Sequence, residues 1–351
     1  MMKVTVTRFL NVRAGKPSLN APCYQYLAPG SEIEVDGTLY KGDPYEGTDT
    51  WMRDKAGNYY WSGGVEQQTL NSQLLAGLQG KWWLADYGMP KIREKGFNGK
   101  GVKIALLDTG IVLPHHALDL DPALFTDVTK SPSGIRDLSG HGTHCAGILK
   151  ASGQEHGPIG IAPGSTLYVC KVTHDTMGDK PGYLAQGIRW AITQNVDIIS
   201  ISKGDPFGDK TLATAVEEAA AKGILVVASS GNKVPGFPSD HIYYPARYPA
   251  VLSVGGIDQG RVPLQDSILT GETALFAPGK EILSTWKNDG FLAQSGSSQA
   301  TPWVAGAGAL LLEMKRRTDP GYSPSGIRDV LLNNASAAGF GKIVRLENLF
   351  G

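Results

Sequence analysis

The chain has 351 residues, with 33 acidic and 33 basic side chains. At roughly 150 residues per domain it can hold two domains, or one large domain with an appendage. Zero net charge argues against nucleic-acid binding by phosphate neutralisation and against a polybasic membrane anchor. Hydrophobic residues make up 41% and charged residues 19%. That composition suits a globular chain with a large core, not a disordered one. Glycine is over-represented, at 45 of 351 residues against a usual ~7%. Three cysteines, Cys23, Cys145 and Cys170, exclude a disulfide framework. The segment Met1–Val6 lacks the apolar core of a signal peptide. No run reaches the ~18 apolar residues of a membrane span. The expected location is therefore the cytoplasm, with secretion the alternative if the sequence is trimmed.

Residues 1–66 predict short strands between turns. Lys3–Arg8, Glu32–Val35 and Asn58–Trp61 are separated by Pro29-Gly30, Asp36-Gly37 and Ala56-Gly57, with no helical period. A small all-β barrel is expected. Leu10-Asn11-Val12-Arg13-Ala14-Gly15 resembles the signature of bacterial SH3-like domains. Trp51-Met52-Arg53 and Gly57-Asn58-Tyr59-Tyr60-Trp61 resemble their tryptophan-bearing last strands. The resemblance implies a peptide-binding module. The competing reading is an appendage whose aromatics fill its own core. Residues 67–80 are polar and Gly-punctuated, and read as a linker.

From residue 81 the pattern changes. Val102–Leu107, Leu167–Val172, Val196–Ile201, Ile224–Ala228 and Val251–Val254 are near-continuous apolar runs. Such runs fit strands buried on both faces of a parallel sheet. Helices are expected at Tyr183–Thr193 and Leu212–Ala221. The alternation predicts an α/β fold, with three α/β/α layers and a mostly parallel sheet, over residues 81–351. Ligands in such sheets bind beyond the carboxyl ends of the strands.

Three polar clusters fall at those edges. Asp108-Thr109-Gly110 ends a buried strand. Gly140-His141-Gly142-Thr143-His144-Cys145 leads into an apolar helix. Ser295-Gly296-Ser297-Ser298-Gln299-Ala300-Thr301-Pro302 leads into another. A serine needs a base within hydrogen-bond reach, and the base needs an orienting acceptor. Alone, a serine at a helix start is an ordinary cap. Asp, His and Ser in this chain order, each in a Gly-rich frame, point to a nucleophilic triad.

Residues from about Trp82 to Leu349 resemble a subtilisin-like serine protease domain. The resemblance implies Ser298 as nucleophile, His141 as base and Asp108 as orienting acid. Ser229-Ser230-Gly231-Asn232 resembles the family's oxyanion segment, with Asn232 as donor. Ser202-Lys203-Gly204 stands where relatives pair with substrate, and Ser229, Ser230 and Gly231 form the facing wall. The implied substrate is a polypeptide, with neither nucleic acid nor membrane as partner. Ser297 and Gln299 replace the usual Thr and Met. Lys203 and Lys233 put positive charge near the cleft, which would favour acidic substrate residues; the competing reading is two solvated lysines. Many relatives hold calcium through a carboxylate in a loop that here reads His115-His116-Ala117-Leu118, so that site is expected to be lost or rebuilt. No cofactor is required for the chemistry and no metal ligand is assigned. Cys145 and His144 are expected to be core residues. The helix Pro302–Ala309 carries Gly306 and Gly308, which implies close packing. The competing classes are a non-catalytic or autoinhibited peptide-binding protein and an esterase. The second lacks its Gly-x-Ser-x-Gly elbow around Ser298.

Overall fold

The computed structural model describes residues 2–36, 40–45, 48–65, 82–152, 157–234, 236–347 and 349–350. The chain divides into two compact units. One comprises Met1–Gly80 with Gly290–Ala293, the other Lys81–Asp289 with Gln294–Gly351. The segment read as a linker, 67–80, lies outside the described residues.

The first unit is all-β. Its strands are β1 (Met2–Thr5), β2 (Leu10–Ala14), β3 (Cys23–Leu27), β4 (Glu32–Val35), β5 (Tyr40–Tyr45), β6 (Thr48–Arg53) and β7 (Asn58–Trp61). They form a β1-β4 pair and a five-stranded sheet ordered β3-β2-β7-β6-β5. Val4, Leu10, Val35, Trp51, Met52 and Trp61 are among the residues of its core. The first strand stops at Thr5, short of the expected Arg8. The Thr7 N–H turns to the Gly64 carbonyl, so the ladder changes partner there.

The second unit is built on a nine-stranded sheet. Its strands are β8 (Lys103–Asp108), β9 (Phe125–Asp127), β10 (Thr166–Lys171), β13 (Ile198–Ile201), β14 (Leu225–Ser229), β15 (Leu252–Ile257), β16 (Leu275–Pro278), β19 (Ser336–Ala338) and β20 (Gly341–Ile343). Three shorter strands of this unit stand outside it: β11 (Thr173–His174), β12 (Gly178–Asp179) and β17 (Ile282–Thr285); β18 (Phe291–Gln294) belongs to the first unit except for Gln294. The sheet order is β19-β20-β16-β15-β14-β13-β8-β10-β9. Every pairing in it is parallel except β19–β20.

Helices cover both faces. One face carries α1 (Trp82–Ala85), α2 (Met89–Glu94), α3 (His141–Lys150), α6 (Ser297–Thr318) and α7 (Gly326–Asn333); the other carries α4 (Pro181–Thr193) and α5 (Lys210–Ala221). Side chains alternate between these layers, as the strand period requires. In β8, Ile104 and Leu106 join the α3/α6 core, whereas Ala105 and Leu107 join the α4/α5 core. Asp108 has the parity of Ile104 and Leu106, so the strand delivers it to the α3/α6 side.

Sequence and structure agree closely on the helices. Helix α5 starts two residues earlier than the apolar period implies, because the Asp209 side chain caps it by accepting from the Leu212 N–H. Helix α6 is buried through its first four turns, from Ser297 to Glu313 save Ser298. Small residues make that depth feasible: a Cβ on Gly306 would sit 2.6 Å from Ile161, and one on Gly308 would sit 3.3 Å from Leu225.

Overpacking costs about 1–3 kcal/mol, and alanine's helix propensity returns about 1 kcal/mol against glycine. Gly306→Ala is therefore expected to lower Tm, and Gly308→Ala to lower it less or leave it unchanged. Thermal denaturation of the two variants side by side checks the order.

Candidate active site

Parallel register aligns the strand ends. Lys171 pairs with Asp108, Ile201 with Leu107, and Ile201 with Ala228. Asp108, Ser202 and Ser229 thus emerge along one carboxyl edge. Helices α3 and α6 begin beside it with His141 and Ser297.

Asp108 is fully buried. A buried carboxylate is costly unless hydrogen-bonded. Its Oδ1 accepts from the Thr109 N–H at 2.8 Å and from His141 Nδ1 at 2.7 Å. Burial opposes charge on both groups, but their mutual attraction wins. Asp108 is held below the usual carboxylate range, and His141 is raised well above its ordinary value. The ring stays partly open, with 22% of its side chain exposed.

Sequence reasoning missed Asp137. This buried carboxylate accepts from Thr109 Oγ1 (2.9 Å), the Gly140 N–H (2.7 Å), the Thr143 N–H (2.9 Å) and Thr143 Oγ1 (2.7 Å). It satisfies donors at the start of α3 that have no partner within the helix, and ties that helix to the residue after Asp108. The signal was present: an acidic residue four positions before a predicted helix start is a capping candidate. Gly140, which precedes His141, has φ +93°. A side chain there would also strike Trp286, at 2.8 Å.

Ser298 lies in the first turn of α6. Its Oγ donates to the Ser202 carbonyl at 3.2 Å, and Ser202 Oγ donates back to the Ser298 carbonyl at 2.8 Å. The Cys145 thiol lies 3.9 Å from His141 Nδ1 and donates to the Ser298 carbonyl at 3.7 Å. Cys145 therefore joins the two helices that carry the histidine and the serine. Burial pushes its pKa up, which makes it an inert thiol. His144 is buried too, with Nε2 on the Ile282 carbonyl at 3.0 Å.

Asn232 follows β14. Its Oδ1 accepts from the Ser297 N–H at 3.1 Å and from Ser297 Oγ at 3.2 Å. With the carbonyl end engaged, the donor left on this side chain is its Nδ2 amide. The Ser298 N–H belongs to the first turn of α6, where no intrahelical acceptor exists. The two donors therefore belong to adjoining segments. Ser229 and Ser230 are buried. Ser230 is held in place by its N–H on the Val254 carbonyl and its own carbonyl under the Tyr243 N–H. Gly231 is buried and Gly204 exposed. Gln299 is buried and bonds Gln294 at 3.2 Å.

Lys203 is not the unbalanced charge the sequence suggested. Its Nζ lies 3.2 Å from Asp179 Oδ2, with 20% of the side chain exposed. Burial opposes its charge, but Asp108 and Asp179 hold it protonated. In return Lys203 helps keep Asp108 ionised. Lys233 is exposed, as the bland reading had it.

The loop after Asp108 does not fit the calcium site of relatives. Ala117 is buried, has no side-chain oxygen, and its carbonyl accepts from the Ser152 N–H. Among the described residues, the one carboxylate gathered there with His115 and His116 is Asp289, against the six to eight oxygens calcium takes.

Residues 99–351 match the Subtilase family. The chain belongs to the subtilase family. Subtilisin from Bacillus pumilus is 36% identical over 251 residues, 71% of this chain and 89% of that one. Subtilisin NAT from Bacillus subtilis subsp. natto is 35% identical over 251 residues, 71% of this chain but only 64% of that one. Among solved structures, a mutant of the protease domain of PatA aligns with a TM-score of 0.63 at 30% identity. That alignment covers 71% of this chain and 94% of PatA's domain. The matched region of this subtilase contains every candidate site residue and leaves residues 1–98 outside it.

The ion pair makes a direct prediction. The His141 ring is expected to titrate above the ordinary ~6.5, and Asp108→Asn to bring it down, because the favourable charge is lost while burial persists. Histidine NMR of the two proteins across pH 5–9 reads both values.

Proposed function

We propose that this subtilase is a serine endopeptidase working through Asp108, His141, Ser298 and an acyl-enzyme. The observation that carries the reading is the 2.7 Å bond between the His141 ring and buried Asp108. That bond fixes the proton on Nδ1 and leaves the Nε2 lone pair as the base. The Ser298 hydroxyl turns from the Ser202 carbonyl to Nε2 as it attacks a peptide carbonyl carbon. His141 takes the proton, then gives it to the leaving amine as the C–N bond breaks. Water repeats the sequence and releases the acid. Asn232 and the Ser298 N–H supply the donors for the developing oxyanion. The Ser297 contacts to Asn232 Oδ1 orient that amide beforehand.

The base must be neutral to act. The acid limb of kcat/KM therefore lies at the raised pKa of His141, and activity falls as pH drops through it. A small pocket adjoins the Ser202 segment, walled by Val172, Leu184, Leu212 and Tyr244 and rimmed by Asp179, Lys180, Lys203 and Asp205. Its apolar walls and volume of about 30 Å³ suit a small aliphatic substrate side chain. Lys203, balanced by Asp179, no longer favours an acidic one.

The first unit is read as an SH3-like module that recruits polypeptide. What supports this is a five-stranded antiparallel sheet with one pocket where exposed Phe9 and Tyr45 stand beside Arg8 and Arg13, over the buried Trp51 and Trp61. Aromatics with arginine are the side chains enriched at recognition hot spots.

A fluorophosphonate probe is expected to label the wild type at Ser298 and to spare Ser298→Ala. Asp108→Asn should reduce kcat by about 10⁴-fold. No labelling of folded wild type would favour the non-catalytic reading. Deletion of residues 1–66 is expected to leave short-peptide turnover unchanged and to lower turnover of a whole protein substrate. A rise in short-peptide turnover would make the unit an inhibitor instead.

A further inference from the structure

The turn between β17 and β18 brings a carboxylate to the two imidazoles of the loop that follows β8. We propose that His115, His116 and Asp289 form a binding site for a divalent transition-metal ion of the zinc class. No step of the protease reading depends on it.

The donors are already converged. Asp289 Oδ1 lies 2.8 Å from His116 Nδ1 and 3.5 Å from His115 Nδ1. All three donor atoms fall within 4.8 Å of one another. A tetrahedral ion with bonds of about 2.0–2.1 Å separates its ligands by about 3.3 Å. The two distances lie on either side of that value; the rings themselves are nearly parallel, with centroids 5.0 Å apart and planes at 22°, so one imidazole turns to bring both nitrogens onto an ion.

Protonation favours binding as well. The Ala117 N–H points at His115 Nδ1 at 3.2 Å. That contact selects the tautomer with its proton on Nε2, so Nδ1 presents a lone pair, which the ion takes over. The His116 ring hydrogen-bonds to Asp289 through Nδ1. On binding its proton moves to Nε2, and the neutral ring becomes a ligand. Two nitrogens and one carboxylate are a donor set for zinc, cobalt or nickel and a poor one for calcium.

The site is graded from inside to outside. The His115 side chain is fully buried, His116 is 30% exposed and Asp289 is 57% exposed. The inner ligand is thus positioned by packing, and the outer two leave an entry path and a position for water. Asn288 and Asp289 both have positive φ, +55° and +61°, the pairing of a tight hairpin turn. The His116 N–H anchors that turn on Asp289 Oδ1 at 2.7 Å. Three residues before Asp289, Trp286 lies edge-on against His144 with centroids 6.1 Å apart. The same ring occupies the space a Gly140 side chain would need. An ion here would fasten the segment that covers the start of α3.

A second set of donors, Asp108, His141 and Cys145, competes for the same ions, so the test must separate the two. The full chain as Ser298→Ala, stripped with EDTA, is titrated with Co²⁺ and followed by absorption. The expected result is ligand-field bands that saturate near one equivalent, with no thiolate charge-transfer band. Cys145→Ser keeps these bands, whereas His116→Ala, His116→Gln and Asp289→Asn lose them. Zn²⁺ raises Tm in the first two proteins and not in the other three, and Ca²⁺ raises it in none. A thiolate band that disappears in Cys145→Ser overturns the proposal. So does Zn²⁺ stabilisation that survives His116→Gln, or the absence of any Co²⁺ binding below millimolar ion.

Discussion

A carboxylate sits in the middle of this protein where water cannot reach it. Asp108 ends a strand covered on both faces. Left alone, such a charge would cost several kcal/mol or be neutralised by a proton. The surrounding structure supplies its partners. Helix α3 starts with the imidazole, the chain itself supplies the Thr109 N–H, and Lys203 adds positive charge from the end of β13. Asp137 then locks the segments that bear the first two partners together. The chemistry proposed for His141 is the other side of this requirement: an imidazole held against a buried anion becomes a stronger base.

The two helices that meet at the site are held by unlike means. Helix α3 is fixed at its start by the Asp137 carboxylate. Helix α6 is fixed by depth, since Gly306 and Gly308 let it sink between Ile161 and the sheet. Cys145 and Ser202 then join the histidine and serine segments through the Ser298 carbonyl. No single one of these contacts is strong. Together they leave Ser298 Oγ one soft bond to the Ser202 carbonyl, which is the bond the proposed reaction must give up.

Much of this was legible in the sequence. The apolar runs named the five central strands because a strand buried on both faces has nowhere to place a polar residue. The clusters at Asp108, His141, Ser298 and Asn232 stood out because each placed polar atoms against such a run. The length of the first strand was not legible, because its end depends on the distant Gly64 carbonyl. Asp137 was overlooked because its capping position before α3 reads as local, while its bond to Thr109, 28 residues away, appears only in the fold. The balance of Lys203 against Asp179 was hidden for the same reason: residues 24 apart in sequence meet only after β12 and β13 have formed. The approach of Asp289 to His115 and His116 spans more than 170 positions, and nothing local announces it.

The alternation along β8 has a consequence for how this chain can vary. Ile104 and Leu106 face one core and Leu107 the other, and Asp108 inherits its side from that count. Deleting one residue between Gly101 and Asp108 would turn the carboxylate toward α4 and α5. There it would meet Leu184, Ile188 and Leu212 with no imidazole to receive it. Insertions are tolerable in the loop before this strand, but neither within it nor directly after it, where Thr109 is tied to Asp108 and Asp137. Drift in length among its relatives should therefore stop at the strand's borders, whatever happens to the residues inside.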